Sequence, residues 1–350
     1  MKRLAVALVA ASLFTTAGAA ERRSYSRDVV DELRRIAAAA PGTLGVRLVQ
    51  VESGASAGIN DEAWFPMMSV YKLPIAVHVL RAAERGTLDL AATVTLRDED
   101  RRPGFSPLAR TIETNGPQKA TLRELLSAIV RVSDNTASDR LLREAGGPAA
   151  VAATLRQLNA DGIDVSRYEL QFAADYYGAS ALGSMRPFSL DRFAAAVEQV
   201  SASRRQKAAE AYVTDRRDST QPRAFAAFMA RLAKGELLTA ADTAWLLGEM
   251  TEMHARDSRL RSGLPPGTLA GLRPGTSGET AGIRAAYNDT ALVTLPDGRR
   301  LVIAAFLKRA AGTDAKRDAT LASVARAAYQ WAIGERERDL ASSLQPLAAR

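Results

Sequence analysis

Strand-like sequence occurs near the two ends of this chain and almost nowhere between. Leu44 to Val51 alternates apolar and polar residues, Ser53-Gly54 turns, and Gly58 to Asn60 can close a hairpin. The pattern returns at Thr290 to Leu295 and Arg299 to Leu307, joined by the turn signal Pro296-Asp297-Gly298. The stretch between, about 66–254, has helical spacing at Val70–Arg85, Leu122–Val130, Asn135–Glu144, Pro148–Leu158, Pro187–Val200, Arg223–Ala233 and Ala240–Met253. Pro74 is tolerated because it falls in a first turn. Further helices are expected at Asp28–Ala40 and from Ala315 to about Ile333, with a polar tail at 336–350. Strands this far apart bury their apolar faces only if both ends of the chain meet in one sheet. The expectation is an α+β fold: an antiparallel sheet built from both termini, flanked by helices, with an all-helical lobe inserted. The α/β lobe would comprise about 25–65 and 255–335 and the helical lobe about 66–254, with the site at their seam.

Residues 1–20 read as a secretory signal peptide: Lys2 and Arg3, an apolar run from Leu4 to Phe14, then Ala17-Gly18-Ala19-Ala20. The catalytic domain would then be 21–335, periplasmic or secreted. No later run approaches ~18 apolar residues, so no membrane anchor is expected after cleavage, and the protein is expected to be a monomer. The chain has no cysteine, which excludes disulfides, a thiol nucleophile and cysteine-ligated zinc. Its net charge of +8 is spread as single or paired arginines among acids, without the basic, aromatic-interleaved block that nucleic acid demands.

The chemistry begins at Ser69-Val70-Tyr71-Lys72. A serine three residues before a lysine at a helix start places a nucleophile beside a base. With 23 Ser and 7 Lys in 350 positions, chance alone supplies ~0.5 such patterns. Only His78 and His254 could complete a Ser-His-Asp triad, and neither stands in a motif; with no HExxH or paired histidines, no metal site is expected either. A serine nucleophile must then be activated by something other than histidine, and Lys72 fits that need as a neutral amine, whose pKa burial and nearby positive charge would lower. Ser133-Asp134-Asn135 is far more specific, at ~0.02 expected copies. It falls between two helices, where Asp134 can also cap the second.

Ser69-x-x-Lys72 followed by Ser133-Asp134-Asn135 resembles the penicillin-recognising serine enzymes, class A β-lactamases and their DD-peptidase relatives. The third motif, Lys-Thr-Gly in the family, has its counterpart in Arg273-Pro274-Gly275-Thr276; Pro274 departs from it, having neither hydroxyl nor N–H. Arg167-Tyr168-Glu169 and Arg217-Asp218-Ser219-Thr220-Gln221-Pro222 resemble the two flanks of the class A omega loop. The resemblance runs from about Asp28 to Gly334. It implies that Ser69 is acylated by a small-molecule β-lactam without a cofactor. Lys72, or Glu169 through water, would take the Ser69 proton, Ser133 would relay a proton to the leaving nitrogen, and Glu169 would activate water for deacylation. The N–H groups of Ser69 and Thr276 would form the oxyanion hole. Asn135, Arg273, Gly275, Thr276 and Phe105 would hold substrate, and Arg167 with Asp218 would staple the loop.

Two departures bear on turnover. Glu169 and Asp218 are 49 residues apart, against ~6–16 in a compact omega loop, so about 174–214 form an insertion with a helix expected from Pro187 to about Glu210. Ala173 replaces the asparagine that the family places four residues after its glutamate. Two alternatives stay open: a D-Ala-D-Ala peptidase of the same fold, and a protein that binds β-lactams or peptidoglycan without turnover.

Overall fold

The computed structural model describes residues 27–253 and 259–344, with side chains up to residue 334. The expected signal peptide, His254 and the end of the expected polar tail lie outside the described residues. Residues 27–39 form helix α1. Strands β1 (Thr43–Gln50), β2 (Ser56–Ile59) and the short β3 (Phe65–Pro66) follow, then α2 (Lys72–Glu84) and β4 (Thr93–Leu96). Next come α3 (Pro107–Asn115), β5 (Gln118–Thr121), α4 (Leu122–Arg131), α5 (Asn135–Glu144) and α6 (Gly147–Gln157). The omega region carries α7 (Glu169–Tyr176), α8 (Leu190–Glu198), α9 (Ala202–Thr214) and β6 (Ser219–Thr220). Helices α10 (Pro222–Ala233) and α11 (Ala240–Thr251) close the lobe. The chain returns through β7 (Ala270–Leu272), β8 (Gly275–Thr276), β9 (Glu279–Thr280), β10 (Ile283–Thr294), β11 (Arg300–Ala311) and α12 (Asp314–Leu344).

The two ends of the chain do meet in one sheet. Its order is β2-β1-β11-β10-β7, antiparallel throughout, with β8 and β9 also paired to β10. Leu48 faces Ile303 and Thr43 faces Lys308, so the first strand lies beside the last. Strand β11 is buried through most of its length and does not alternate, because helices cover both faces. On one face Leu33 and Ile36 of α1 pack with Leu321, Val324 and Trp331 of α12. On the other, Phe225 and Phe228 of α10 join Phe65 and Phe306, linking the sheet to the core of the helical lobe.

Three expectations needed correction. The helical lobe is not purely helical: β4 pairs with β5 and β3 with β6, and β6 returns the omega region to the segment just before Ser69. The single helix expected from Pro187 to about Glu210 is two, α8 and α9, because the Ser201 hydroxyl accepts from the Arg204 N–H and starts a new helix. Helix α12 runs past Ile333 to Leu344.

One buried side chain fastens the sheet to the segment that presents Ser69. Asn288 of β10 donates from Nδ2 to the carbonyls of Pro66 and Met67 (2.8 and 3.1 Å), and its Oδ1 accepts from the Leu307 N–H at 3.2 Å. Removing it strands three buried backbone groups, each costing about 1–3 kcal/mol when left unpaired. Asn288→Ala should therefore lower unfolding free energy in urea by about 3 kcal/mol; a loss well under ~1 kcal/mol would mean that the clamp carries little.

Candidate active site

Ser69 sits in a 3₁₀ turn, Met68–Tyr71, that runs directly into α2. Met68 has φ +49°, a left-handed conformation costly for a non-glycine residue and held here by the buried surroundings of the turn. Ser133, at φ +61°, is a second such residue, at the start of the loop facing Ser69. Strained backbone beside Ser69 and at Ser133 is a mark of geometry imposed by the fold rather than chosen locally.

Lys72 is the centre of the cluster and is fully buried. Its Nζ lies 3.4 Å from Ser69 Oγ and 3.3 Å from Ser133 Oγ. It donates to the Ser133 carbonyl at 2.7 Å and to Asn135 Oδ1 at 2.6 Å, and stands 3.0 Å from Glu169 Oε1. The last contact is an ion pair without hydrogen-bond alignment, so Oε1 is buried with lone pairs unfilled. Burial raises the Glu169 pKa to about 7 against the pull of Lys72, with Asp139 adding to the rise. Burial likewise lowers the Lys72 pKa, opposed by Glu169 and assisted by Arg273. Desolvation thus moves both partners toward their neutral forms.

Asp134 caps α5, accepting from the Ala137 N–H at 2.9 Å, and also accepts from Ser106 Oγ and the Leu108 N–H of α3 (both 2.8 Å). Asn135 Nδ2 donates to the Pro103 carbonyl at 2.8 Å and its N–H to the Phe105 carbonyl, which leaves Phe105 beside the site and 60% exposed. A Cβ on Gly104 (φ +82°) would stand 2.8 Å from Asn135 Nδ2, so glycine lets this loop close over the asparagine.

The Gly275 backbone presses on the nucleophile turn: a Cβ there would meet the Met67 carbonyl at 2.3 Å and the Val70 N–H nitrogen at 3.1 Å. This brings Thr276 against the Ser69 turn. Arg273 is buried and donates from Nη1 to the Ile129 and Val130 carbonyls at the end of α4, at 2.7 and 3.1 Å. Burial lowers its pKa to about 10, which still leaves it cationic at neutral pH. The cation in contact with Thr276 is a different one. Arg259 donates to Thr276 Oγ1 at 2.6 Å and to the Asn288 carbonyl at 2.8 Å, with its guanidinium 4.0 Å above the Tyr287 ring. Sequence reading missed it because 17 residues separate it from Thr276 and it belongs to no motif.

Arg167 and Asp218 meet at 2.5 Å, and Asp218 Oδ1 also accepts the Ser166 and Arg167 N–H groups. Asp175 and Asp215 approach the same guanidinium at 2.8 and 3.1 Å, and the Tyr212 ring lies 5.3 Å from it. The insertion is therefore pinned by the same arginine that closes the loop. Ala173 packs with the small insertion core of Leu170, Ala174, Phe188 and Phe193.

Asp139 was also missed, although it lies one turn after Asn135 on α5 and so on the same face. Its carboxylate accepts the N–H of Glu169 at 2.6 Å and of Leu170 at 3.4 Å, capping α7 from outside, and pairs with Arg102 Nε at 2.6 Å. His78, by contrast, is buried between Thr154 Oγ1 and the Ala145 carbonyl, both 2.8 Å away, and is structural. Asp139→Ala leaves Arg102 Nε and the Glu169 N–H buried without their acceptor and takes the counter-charge from a buried guanidinium. It should cost about 3 kcal/mol or more in denaturant unfolding, where an unimportant cap would cost about 1.

The family model described as "Beta-lactamase enzyme family" matches residues 28–332. The extended-spectrum β-lactamase PER-1 of Pseudomonas aeruginosa is 27% identical over 330 residues, 94% of this chain and 95% of its own. β-Lactamase L2 of Stenotrophomonas maltophilia is 31% identical over 288 residues, 82% of this chain and 80% of its own. Among solved structures, a β-lactamase from Chitinophaga pinensis superposes with a TM-score of 0.70 at 26% identity, covering 87% of this chain and 99% of that one.

Proposed function

This chain belongs to the β-lactamase enzyme family, and from that premise we propose that it opens β-lactams through an acyl-enzyme on Ser69, released by water that Glu169 activates. The observation that carries the reading is the buried Lys72 amine within 3.4 Å of both serine hydroxyls and 3.0 Å from Glu169. A serine is a weak nucleophile until a base takes its proton, and here the amine is the nearest base.

Desolvation favours the arrangement in which the shared proton rests on Glu169 and the Lys72 amine is neutral. That amine takes the Ser69 proton as Oγ attacks the lactam carbonyl. The proton then passes through Ser133 Oγ to the departing ring nitrogen as the C–N bond breaks. The N–H groups of Ser69 and Thr276 hold the oxyanion, supported by the close approach of Gly275 to the turn. Asn135 grips the side-chain amide, Phe105 edges the cleft, and Thr276 takes the substrate carboxylate with Arg259 behind it. Arg273 contributes positive field to the same end of the cleft. In the second half the freed Lys72 amine takes the proton back from Glu169, 3.0 Å away. The ionised Glu169 then removes a proton from the water that attacks the acyl carbon, and Lys72 returns its proton to the departing Ser69 oxygen. Asp139 and the Arg167–Asp218 staple hold Glu169 in place for that step. Arg167-Tyr168-Glu169, with the glutamate buried against Lys72, favours this reading over a peptidase of the same fold. The leader-like residues 1–20 support export, and no described helix is long and apolar enough to cross a membrane.

Nitrocefin turnover followed with mass spectrometry of the protein tests the assignment. Ser69→Ala should abolish both turnover and adduct. Glu169→Gln should still acylate but accumulate the adduct, with turnover down by about 10²-fold or more; unchanged turnover in that variant would remove Glu169 from the mechanism. The pH profile gives a second check. Deacylation needs ionised Glu169, whose pKa burial raises to about 7, so kcat should fall about tenfold per unit below that point. A kcat that stays level down to pH 5 would contradict a raised Glu169.

A further inference from the structure

Between the insertion helix α9 and strand β9 lies a cavity of about 340 Å³ lined by Tyr177, Arg205, Gln206, Glu279 and Thr280. We propose that it is a subsite for acyl side chains bearing an anionic group, with Arg205 as the cation that receives it; this rests on the β-lactam reading above.

The cavity lies farther along the chain that leaves Thr276: β8 and β9 pair in succession with β10, and Glu279 and Thr280 of β9 form one wall. A Cβ on Gly278 would stand 3.4 Å from the Tyr177 hydroxyl, so Tyr177 of the cavity wall lies against the link between β8 and β9, two residues beyond Thr276. A substrate whose amide is held by Asn135, with its lactam carbonyl at the Thr276 N–H, can send its side chain along the segment from β8 to β9, both of which pair with β10. At ~3.3 Å per residue, Gly278 to Thr280 lies about 7 to 13 Å farther on. That is the reach of an extended substituent on the acylamino group, not of the amide itself.

The wall is held in place before any ligand arrives. Tyr176, buried at the end of α7, donates to the Gly278 carbonyl at 2.7 Å. Its ring meets Tyr177 and Tyr212 edge-on, at 5.1 and 5.6 Å. Glu169 begins the same helix, so helix, insertion and strand are tied together on this side of the cleft.

The charges then select the ligand. Glu279 is already engaged by Arg317 Nη1 at 2.9 Å and by Arg284 at 3.6 Å. Gln206 is committed to Glu210 at 3.1 Å. The Arg205 side chain is half-buried and, among the described residues, has neither a hydrogen bond nor an ion pair. It is the uncommitted charge of the cavity, and its planar fork suits a carboxylate.

The test compares two cephalosporins alike except at the oxyimino group, one ending in a carboxylate and one in its neutral methyl ester, on wild type and Arg205→Gln. Arg205 lies outside the catalytic cluster, so the neutral substrate should be hydrolysed within about twofold of wild type. For the carboxylate, KM should rise about tenfold with little change in kcat, and the wild-type preference should shrink at high salt. Arg205→Glu should widen the loss. Equal effects on both substrates, or none on either, would overturn the subsite. Absence of both hydrolysis and an acyl adduct on intact wild type with either compound would instead sink the β-lactam reading on which it rests.

Discussion

A lysine and a glutamate buried together, 3.0 Å apart, are the constraint around which this molecule is arranged. Burying either alone would cost several kcal/mol, so each must keep its partner and its hydrogen bonds. Lys72 comes from the helix behind the nucleophile and Glu169 from the omega region, about a hundred residues later. Their meeting requires that the two segments be fixed independently of each other. Asn288 holds the segment leading to Ser69 to the sheet, while Asp139 and Arg167 hold the segment that starts α7. Desolvation pushes both groups toward their neutral forms while their mutual attraction opposes it, and Glu169 is raised to about 7. A group poised in that way can give and take protons near neutral pH, which is what acylation and deacylation both ask of it.

The insertion shows how such a site tolerates extra chain. It enters and leaves at Arg167's carboxylate partners, so the added helices hang from a junction that the loop needs in any case. Its small apolar core takes up Leu170 and Ala173, and Tyr176 carries its influence to the substrate strand. The position where the family has an asparagine has become part of that core. Substrate-side geometry and loop stability are therefore coupled here through α7, whose first residue is Glu169 and whose last is Tyr176.

Much of this was legible in the chain. Strand patterns at the two ends required one shared sheet, and the absence of cysteine and of a motif-bound histidine left lysine as the activator of Ser69. Ser133-Asp134-Asn135 was rare enough to mark its own position. Arg167, Glu169 and Asp218 were readable from their immediate neighbours. Less was legible where side chains act across the fold without a local pattern. Asp139 has a weak helical signal, since it follows Asn135 by one turn, but nothing local says that it caps a helix thirty residues on. Arg259 has none: its contact with Thr276 depends on how the chain enters β7. The break between α8 and α9 was carried by a serine cap within an otherwise helical pattern, and β3–β6 pairing by strands too short to show periodicity.

By itself, then, the sequence determined which reactive groups are available, a serine three residues before a lysine and a rare Ser-Asp-Asn loop, because these depend on residue type and short spacing; the candidate glutamate was named only by the family resemblance. It also determined the class of fold, because hydrophobic period is a local property that survives in one dimension. Only the tertiary structure decided the electrostatics of the site, since a pKa depends on what else is buried within a few ångströms and not on neighbours in the chain. It alone decided that Arg259 contacts Thr276, that Asp139 holds Glu169, and that the insertion stands over the strand beside the cleft. Those are contacts between distant segments, fixed by how helices and sheet pack.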